Sequence, residues 1–384
     1  MPANWNGKLV MYAHGYAGTG AALGVNNPSI RRCLVQNGDA WAASSYSKNY
    51  YDVRAGVEDT NALALEFTRI ATANTRTLAA PSKIYITGHS MGGHITAAAI
   101  EDEAAATAVN EVKYHGAVPM CGVMGDTALF DQFAAMQVTA QALAGVPSYP
   151  TAKWSEISAL VTSSLFTTFP SVPNATGANV VSVLQNITGG PQPLYSQGLA
   201  FGGSFPSAWG ALAADANRLR TDGIRWIPKA NGEFRIPVAS IHTLGDLFVP
   251  FSMQYAKRVA AKGNSGWLVQ RAICGASHCD FTVAEQATAF DDMNKWERDG
   301  IKPAGDHVLT PAVVAAATYG CTHTKNTLGP DESGATRALR HSQTQTAESS
   351  RRHAHEVASR RADRQRANSI NRLLPPTGAT TDRE

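Results

Sequence analysis

The chain has 384 residues, 44% of them hydrophobic and 16% charged, with a formal net charge of +3. That length and balance allow a large buried core and exclude a fibre or repeat array; with no run of roughly 18 apolar residues and no signal-peptide core in Met1 to Lys8, no membrane span is expected. Residues 331–384 carry ten Arg against seven acidic side chains and leave 23 of each sign in residues 1–330, so the body is neutral and nucleic-acid binding by it is not expected.

In chain order, the apolar runs predict strands at Lys8 to Ala13, Ala40 to Tyr46, Lys83 to Thr87, Gly116 to Met120, Val238 to Thr243 and Val269 to Ile273. Helices are predicted between them, notably Val57 to Ala73, Met91 to Val109 and Ser252 to Lys262. Such alternation implies a mostly parallel sheet with helices on both faces. It stops between Cys121 and Ile236, and residues 122–236 read as a mainly helical cap inserted into the body formed by 1–121 and 237–325. The insert contains helical pieces (Thr127 to Ala144, Trp154 to Phe169) and a Gly/Pro-rich stretch from Gly189 to Pro206. Its aromatic residues Trp154, Phe166, Phe169, Phe201, Phe205 and Trp209 are either a substrate pocket or the packing of cap on core. From Asp331 aromatic residues vanish, and residues 331–384 read as a disordered or loosely helical tail.

Chemistry concentrates at Gly88-His89-Ser90-Met91-Gly92, which lies between a predicted strand and a predicted helix. A serine on that turn has its hydroxyl exposed at a helix N-terminus, and flanking glycines remove side chains that would collide with neighbouring backbone. A hydroxyl is a weak nucleophile and needs a base, an acid to orient the base, and donors for the oxyanion. Asp246 follows the strand at Val238 to Thr243, and His278 follows the strand at Val269 to Ile273, an order and placement that make Ser90, Asp246 and His278 the candidate catalytic set. Asp280 is the runner-up acid. His89 and His94 flank the serine but precede any acid, His307 sits in a Gly-Asp turn, and His341, His353 and His355 belong to the tail. The expected oxyanion donors are the N–H groups of Met91, next after the serine, and Tyr16, in His14-Gly15-Tyr16-Ala17-Gly18 after the first strand; Ala17 is second choice to Tyr16. Gly15, Gly18 and Gly20 do not spell a phosphate loop.

The five cysteines, Cys33, Cys121, Cys274, Cys279 and Cys321, have no zinc spacing, and their odd number forbids complete internal pairing. A staple between Cys274 and Cys279 across the His278 loop, an anchor through Cys321, or free buried thiols are all open. Asn174-Ala175-Thr176 and Asn186-Ile187-Thr188 are short glycosylation patterns with frequent chance matches, and Tyr46, Tyr50 and Tyr51 either line the mouth of the site or pack.

His14-Gly15, Gly88 to Gly92, Asp246 and His278 together resemble the α/β-hydrolase family of serine esterases, lipases and related peptidases, over most of residues 8 to 300. Pro2 to Gly7, Gly56 to Thr60 and His278-Cys279-Asp280-Phe281 are similar to a bacterial, often exported branch near prolyl-oligopeptidase-like and feruloyl-esterase-like enzymes. Family members usually have strands ahead of the oxyanion strand, so this chain reads as a trimmed or shortened version, soluble and cytoplasmic as written or secreted or periplasmic if trimmed. The resemblance implies a carboxylic ester hydrolase that needs no cofactor or metal and acts on a small-molecule or polymeric ester. The rivals are a serine peptidase of the same fold, a polyester depolymerase and a non-catalytic binding protein. The acids in the insert, Asp126, Asp131, Glu156, Asp215, Asp222 and Glu233, are scattered and offer no evident anchor for a peptide amine.

Overall fold

A computed structural model describes residues 1–18, 20–125, 128–129, 139–146, 154–168, 172–179, 227–246, 248–275, 278–314, 316, 318–329 and 332. All lie in the compact unit Met1–Ala338; the second unit, Leu339–Glu384, is outside them. Also outside are most of the expected helix at Thr127 to Ala144, the Gly/Pro-rich stretch, Phe169, Phe201, Phe205 and Trp209, the Asn186 pattern, and the tail apart from Glu332.

The first strand, β1 (Lys8–Ala13), is buried from Leu9 onward, as a strand covered on both faces must be. Next come α1 (Arg31–Gln36), β2 (Ala40–Ala43), α2 (Val53–Ala73), β3 (Lys83–His89), α3 (Met91–Ala98), α4 (Asp102–Thr107) and β4 (Gly116–Met120). In the insert α5 (Trp154–Leu165) leads into a small antiparallel pair, β5 (Phe166–Thr168) and β6 (Val172–Pro173). The body resumes with β7 (Val238–Thr243), α6 (Ala256–Ala261), β8 (Leu268–Ile273), α7 (Val283–Asp299) and α8 (Pro311–Val314).

Six strands form one sheet in the order β2-β1-β3-β4-β7-β8, all parallel. The mostly parallel α/β arrangement expected from the alternation is therefore present. Period-two alternation splits β1 between two cores. Leu9, Met11 and Ala13 join Val57 of α2 and Ile95 of α3 on one face, while Val10 joins Leu34 of α1 and Phe290 and Met293 of α7 on the other. At roughly 25 cal/mol per Å² of buried apolar surface, such two-faced burial is the main stabilising contribution. From β1 the chain moves one way to β2, and from β3 it moves the other way to β4. The order reverses between β1 and β3, and a crevice at the carboxyl ends of two such strands is where open α/β sheets place their sites.

Several expected elements differ in extent: α2 begins at Val53, β3 runs on to His89 and β8 starts at Leu268, and four others depart further. The strand predicted to reach Tyr46 stops at Ala43, because the Ser44 hydroxyl accepts the Tyr46 N–H at 3.0 Å and turns the chain to φ +57°. The single helix predicted over Met91 to Val109 is two. Glu101 is extended at ψ 153°, and its carboxylate accepts the N–H groups of Gly232 and Glu233, each at 2.8 Å. The helix predicted from Ser252 begins at Ala256 after a 3-10 turn, Phe251–Met253. The segment predicted helical to Phe169 turns into β5 at Phe166. A helix that the alternation did not place, α7, carries a capping box of Thr282 and Glu285 and ends at left-handed Gly300. Glu332, at the start of the expected tail, accepts the Val283 N–H at 2.7 Å. No helix among the described residues is long and apolar enough to cross a membrane.

Glu101 makes the stability pH-dependent. Burial pushes its carboxyl up to about 7, against the pull of the backbone N–H groups. A raised carboxyl binds its proton more tightly when folded, so its ionisation costs stability progressively from about pH 4.5 to about pH 7, and the loss is complete above that. Urea melts should show Glu101→Gln losing up to about 3 kcal/mol less than wild type over that interval. Equal pH slopes for the two proteins would refute this assignment.

Candidate active site

Ser90 lies between β3 and α3 with φ +58° and ψ −121°, a left-handed backbone that a non-glycine residue holds only under tertiary constraint. A Cβ on Gly88 would run into the carbonyl oxygens of Gly92 and Ala13, and one on Gly92 would strike Ala13 and come within 2.7 Å of the His14 oxygen. Both positions admit only hydrogen. The serine is held from a third strand as well, its N–H donating to the Met120 carbonyl at 3.1 Å.

His278 and Asp246 reach Ser90 from the ends of β8 and β7. Nδ1–H of His278 donates to Asp246 Oδ2 at 2.7 Å, which leaves Nε2 to accept the Ser90 hydroxyl, also at 2.7 Å. His278 is therefore held in the tautomer that taking a proton from the serine would require. Asp246 is fully buried. Its other oxygen accepts the N–H groups of Phe248 and Val249, each at 2.9 Å, and these donors offset the cost of burying a charge. The runner-up acid is excluded from this position because the Nδ1 proton of His278 goes to Asp246.

Behind the acid stands His242, a residue the sequence reading did not single out. Its Nε2–H donates to the Val249 carbonyl at 2.7 Å, and its Nδ1 accepts from the Gln254 amide at 2.6 Å. Burial pushes this imidazole below its ordinary range, against the opposite pull of Asp246. A neutral ring thus braces the loop that carries the acid. Gln254 is braced in turn by Gln270, whose amide donates at 2.8 Å, and this role keeps Gln254 out of the helix predicted there. The spacing His242-x-x-x-Asp246 at a strand end was the available signal.

The remaining histidines near the serine have other occupations. His89 is pushed down to about 4, chiefly by burial, and its ring nitrogens meet Gln286 at 2.9 Å and the Tyr12 hydroxyl at 3.3 Å. His94 donates from Nε2 to the Pro228 carbonyl at 2.6 Å and meets the Tyr51 hydroxyl at 3.1 Å. Asn174 caps the turn that follows it and donates to the Ser164 carbonyl. Glu233 pairs with Lys262.

Of the expected oxyanion donors, Met91 opens α3, where the first N–H groups have no acceptor within the helix. Tyr16 follows Gly15, whose missing Cβ would lie 3.4 Å from Ser90 Cβ and 3.9 Å from Ser90 Oγ. The structure thus brings the β1 and β3 ends together at the point where the strand order reverses. Phe248 presents its ring edge-on to His278, centroids 5.3 Å apart.

The staple considered between Cys274 and Cys279 is replaced by a disulfide between Cys121 and Cys279. Cys121 directly follows β4, beside the Met120 carbonyl that holds Ser90, whereas Cys274 follows β8 and has the Cys321 sulfur 3.8 Å away. Cys33, Cys274 and Cys321 lie outside that disulfide. Among the described residues, the His, Cys and acidic groups close enough to share an ion are Cys121, His278 and Cys279, and two of those sulfurs are in the disulfide.

No protein-family model and no curated protein matches this sequence. Among solved structures the chain is similar to a tannin acyl hydrolase from Aspergillus niger, at 14% identity, TM-score 0.50, with 79% of this chain and 74% of that one covered. It is also similar to feruloyl esterase B from Aspergillus oryzae, at 14% identity, TM-score 0.43 and coverage of 78% and 77%. Candida Antarctica lipase A is similar at 17% identity, TM-score 0.43 and coverage of 81% and 77%. The architecture shared with the tannin acyl hydrolase is the α/β-hydrolase fold, and the likeness establishes the fold alone.

The disulfide closes a sequence separation of 158 residues, so its removal should cost about 2–5 kcal/mol by releasing the unfolded chain. Urea melts of wild type, with and without reductant, against the Cys121→Ser/Cys279→Ser double variant check this. Reductant should shift the wild type to the variant's midpoint and leave the variant where it was.

Proposed function

We propose that this α/β-hydrolase-fold chain is a serine carboxylic ester hydrolase that acts on short-chain or aromatic esters through an acyl-enzyme. The observation that carries the reading is the unbroken hydrogen-bond line from Asp246 through His278 to a serine held in a left-handed turn at the head of α3. Ser90 Oγ attacks the ester carbonyl while His278 Nε2 takes its proton, and Asp246 stabilises the imidazolium so formed. The carbonyl oxygen, now an oxyanion, is held by the Tyr16 and Met91 N–H groups. His278 then returns the proton to the leaving alcohol. Water, deprotonated by the same nitrogen, attacks the acyl-enzyme and releases the acid with Ser90 restored. Every group in this cycle is an amino-acid side chain or backbone N–H, so the reading calls for no cofactor or metal.

Residues 1–121 and 237–325 supply this machinery, and 122–236, inserted between β4 and the strand that carries the acid, is the proposed cover over it. Phe248, edge-on to the catalytic imidazole, supports acceptance of an aromatic acyl or alcohol group. The fold shared with a tannin acyl hydrolase agrees with acyl transfer to water. Amide cleavage by an exopeptidase needs an anchor for the substrate ammonium, and Glu233, one acid of the insert, is engaged with Lys262.

A fluorophosphonate probe should label wild type at Ser90 and leave Ser90→Ala unlabelled. Ser90→Ala should lose roughly 10⁴ to 10⁶ in kcat on p-nitrophenyl esters at unchanged Tm, and retention of a tenth of the turnover by a pure sample would refute the reading. Asp246→Asn should cost about 10⁴-fold by favouring the wrong tautomer; crippling by Asp280→Asn with a silent Asp246→Asn would transfer the acid role. Aminoacyl p-nitroanilides should be cleaved orders of magnitude more slowly than the esters. Comparable kcat/KM on both would favour a peptidase.

A further inference from the structure

The mechanism above leaves a buried imidazole unused at its edge. His14 is 1% exposed. Its Nδ1 lies 2.7 Å from the carbonyl oxygen of Gly15, the next residue, while its Nε2 is buried without a hydrogen-bond partner. A carbonyl oxygen only accepts, so the proton sits on Nδ1 and Nε2 is a bare lone pair. A ring that packed for its apolar surface alone would be better served by phenylalanine, because burying an unpartnered nitrogen is unfavourable. What the histidine supplies is the Nδ1–H to Gly15.

The ring is itself held. Tyr46 stacks on it with centroids 4.0 Å apart at 22°, and its hydroxyl donates to the His14 carbonyl at 3.0 Å. Tyr46 does this from a left-handed backbone, φ +57°. Neighbouring residues of the same loop reach the same segment: Tyr50 N–H donates to the Gly18 carbonyl at 2.8 Å, and the Asn49 amide donates to the Ala22 carbonyl, also at 2.8 Å. The loop after β2 thus grips the loop after β1 at several points.

A trans peptide is planar, with its C=O and N–H on opposite sides. The Gly15 carbonyl and the Tyr16 N–H belong to one peptide unit, so whatever fixes the carbonyl fixes the N–H. We propose that His14 is a positioning residue for the oxyanion hole, its Nδ1–H and the Tyr46 stack together locking the Gly15–Tyr16 peptide so that the Tyr16 N–H faces the reaction centre at Ser90. This rests on the ester-hydrolase reading and adds to it the side chains that preorganise one of its two donors. A donor free to turn away must be recovered in each transition state, whereas a locked one costs no reorganisation.

The test compares His14→Phe, which keeps a flat ring for the Tyr46 stack and removes the donor, with His14→Asn, which keeps an N–H donor on a shorter arm. Both are assayed on a short-chain p-nitrophenyl ester, and benzeneboronic acid inhibition probes the tetrahedral state. His14→Phe should lower kcat roughly 10- to 100-fold, with KM within about threefold, and weaken the boronic acid in parallel, the scale expected for degrading one oxyanion donor. His14→Asn should recover part of the loss. A His14→Phe protein with kcat within threefold of wild type, or one altered in KM alone, overturns the proposal. If His14→Phe does not fold, Tyr46→Leu decides, because it removes the ring that stacks on His14: a kcat lowered at least threefold at unchanged KM supports the proposal, and wild-type kcat overturns it. Fluorophosphonate labelling of wild-type Ser90 separates the two levels of inference. If wild type is labelled and turns over ester while the variants match it, His14's role fails alone; if wild type does neither, the hydrolase reading fails and takes this role with it.

Discussion

Everything at the candidate site depends on how closely the end of β1 approaches the turn that follows β3. The carbonyls of Ala13 and His14 lie against Gly88 and Gly92 so tightly that a methyl group at either glycine would overlap backbone atoms. That contact sets Ser90 in its left-handed conformation, brings Gly15 over its side chain, and directs α3 away from the strand ends. It exists because β1 and β3 are neighbours at the point where the strand order reverses. Parallel strands there send their chains to opposite sides and leave their carboxyl ends open.

Backbone strain gathers at the same end of the sheet. Of the six described non-glycine residues with positive φ, Tyr46 and Tyr50 follow β2, Ser90 follows β3, Cys121 follows β4 and Cys279 follows β8. Such conformations cost of order 1–3 kcal/mol each and persist only where the surroundings over-determine them. The surroundings are visible in these five cases: Tyr46 is stacked and hydrogen-bonded to His14, Tyr50 donates its N–H to the Gly18 carbonyl, Ser90 is wedged between glycines, and Cys121 and Cys279 are covalently joined. A second layer of neutral polar groups lies beneath. His242, Gln254 and Gln270 hold one another in line behind Asp246, and His89 is held by Gln286 and Tyr12. Burial keeps the two imidazoles uncharged, so under the hydrolase reading the positive charge created during turnover falls on His278 beside its carboxylate.

Much of this was legible in the residues. The strands at Lys8 to Ala13, Gly116 to Met120 and Val238 to Thr243 keep their predicted ends, because a strand buried on both faces announces itself as an unbroken apolar run. The Ser90, Asp246 and His278 set was legible from chain order and strand-end placement, and the structure brings the three within hydrogen-bond reach. Two of the misplaced boundaries share a cause. Glu101 and Gln254 each use a side chain to satisfy groups elsewhere, and a residue committed to a distant partner leaves the helix that its neighbours would continue, whereas Ser44 caps its own turn two residues on. The capping box at Thr282 and Glu285 was a local signal that the strand-helix alternation alone did not use.

By itself, then, the sequence determined what is local or periodic. It specified which segments are buried strands, where a glycine-flanked serine must turn, and the strand-end placement, in chain order, of Ser90, Asp246 and His278. Only the tertiary structure decided which strand ends are neighbours, and with that the pairing of Cys121 with Cys279 and the grip of Tyr46 on His14. The reason is geometric. Side-chain period and turn chemistry act over a few residues, whereas these contacts join loops 30 or more residues apart and depend on the lateral order of the sheet, which no spacing along the chain encodes.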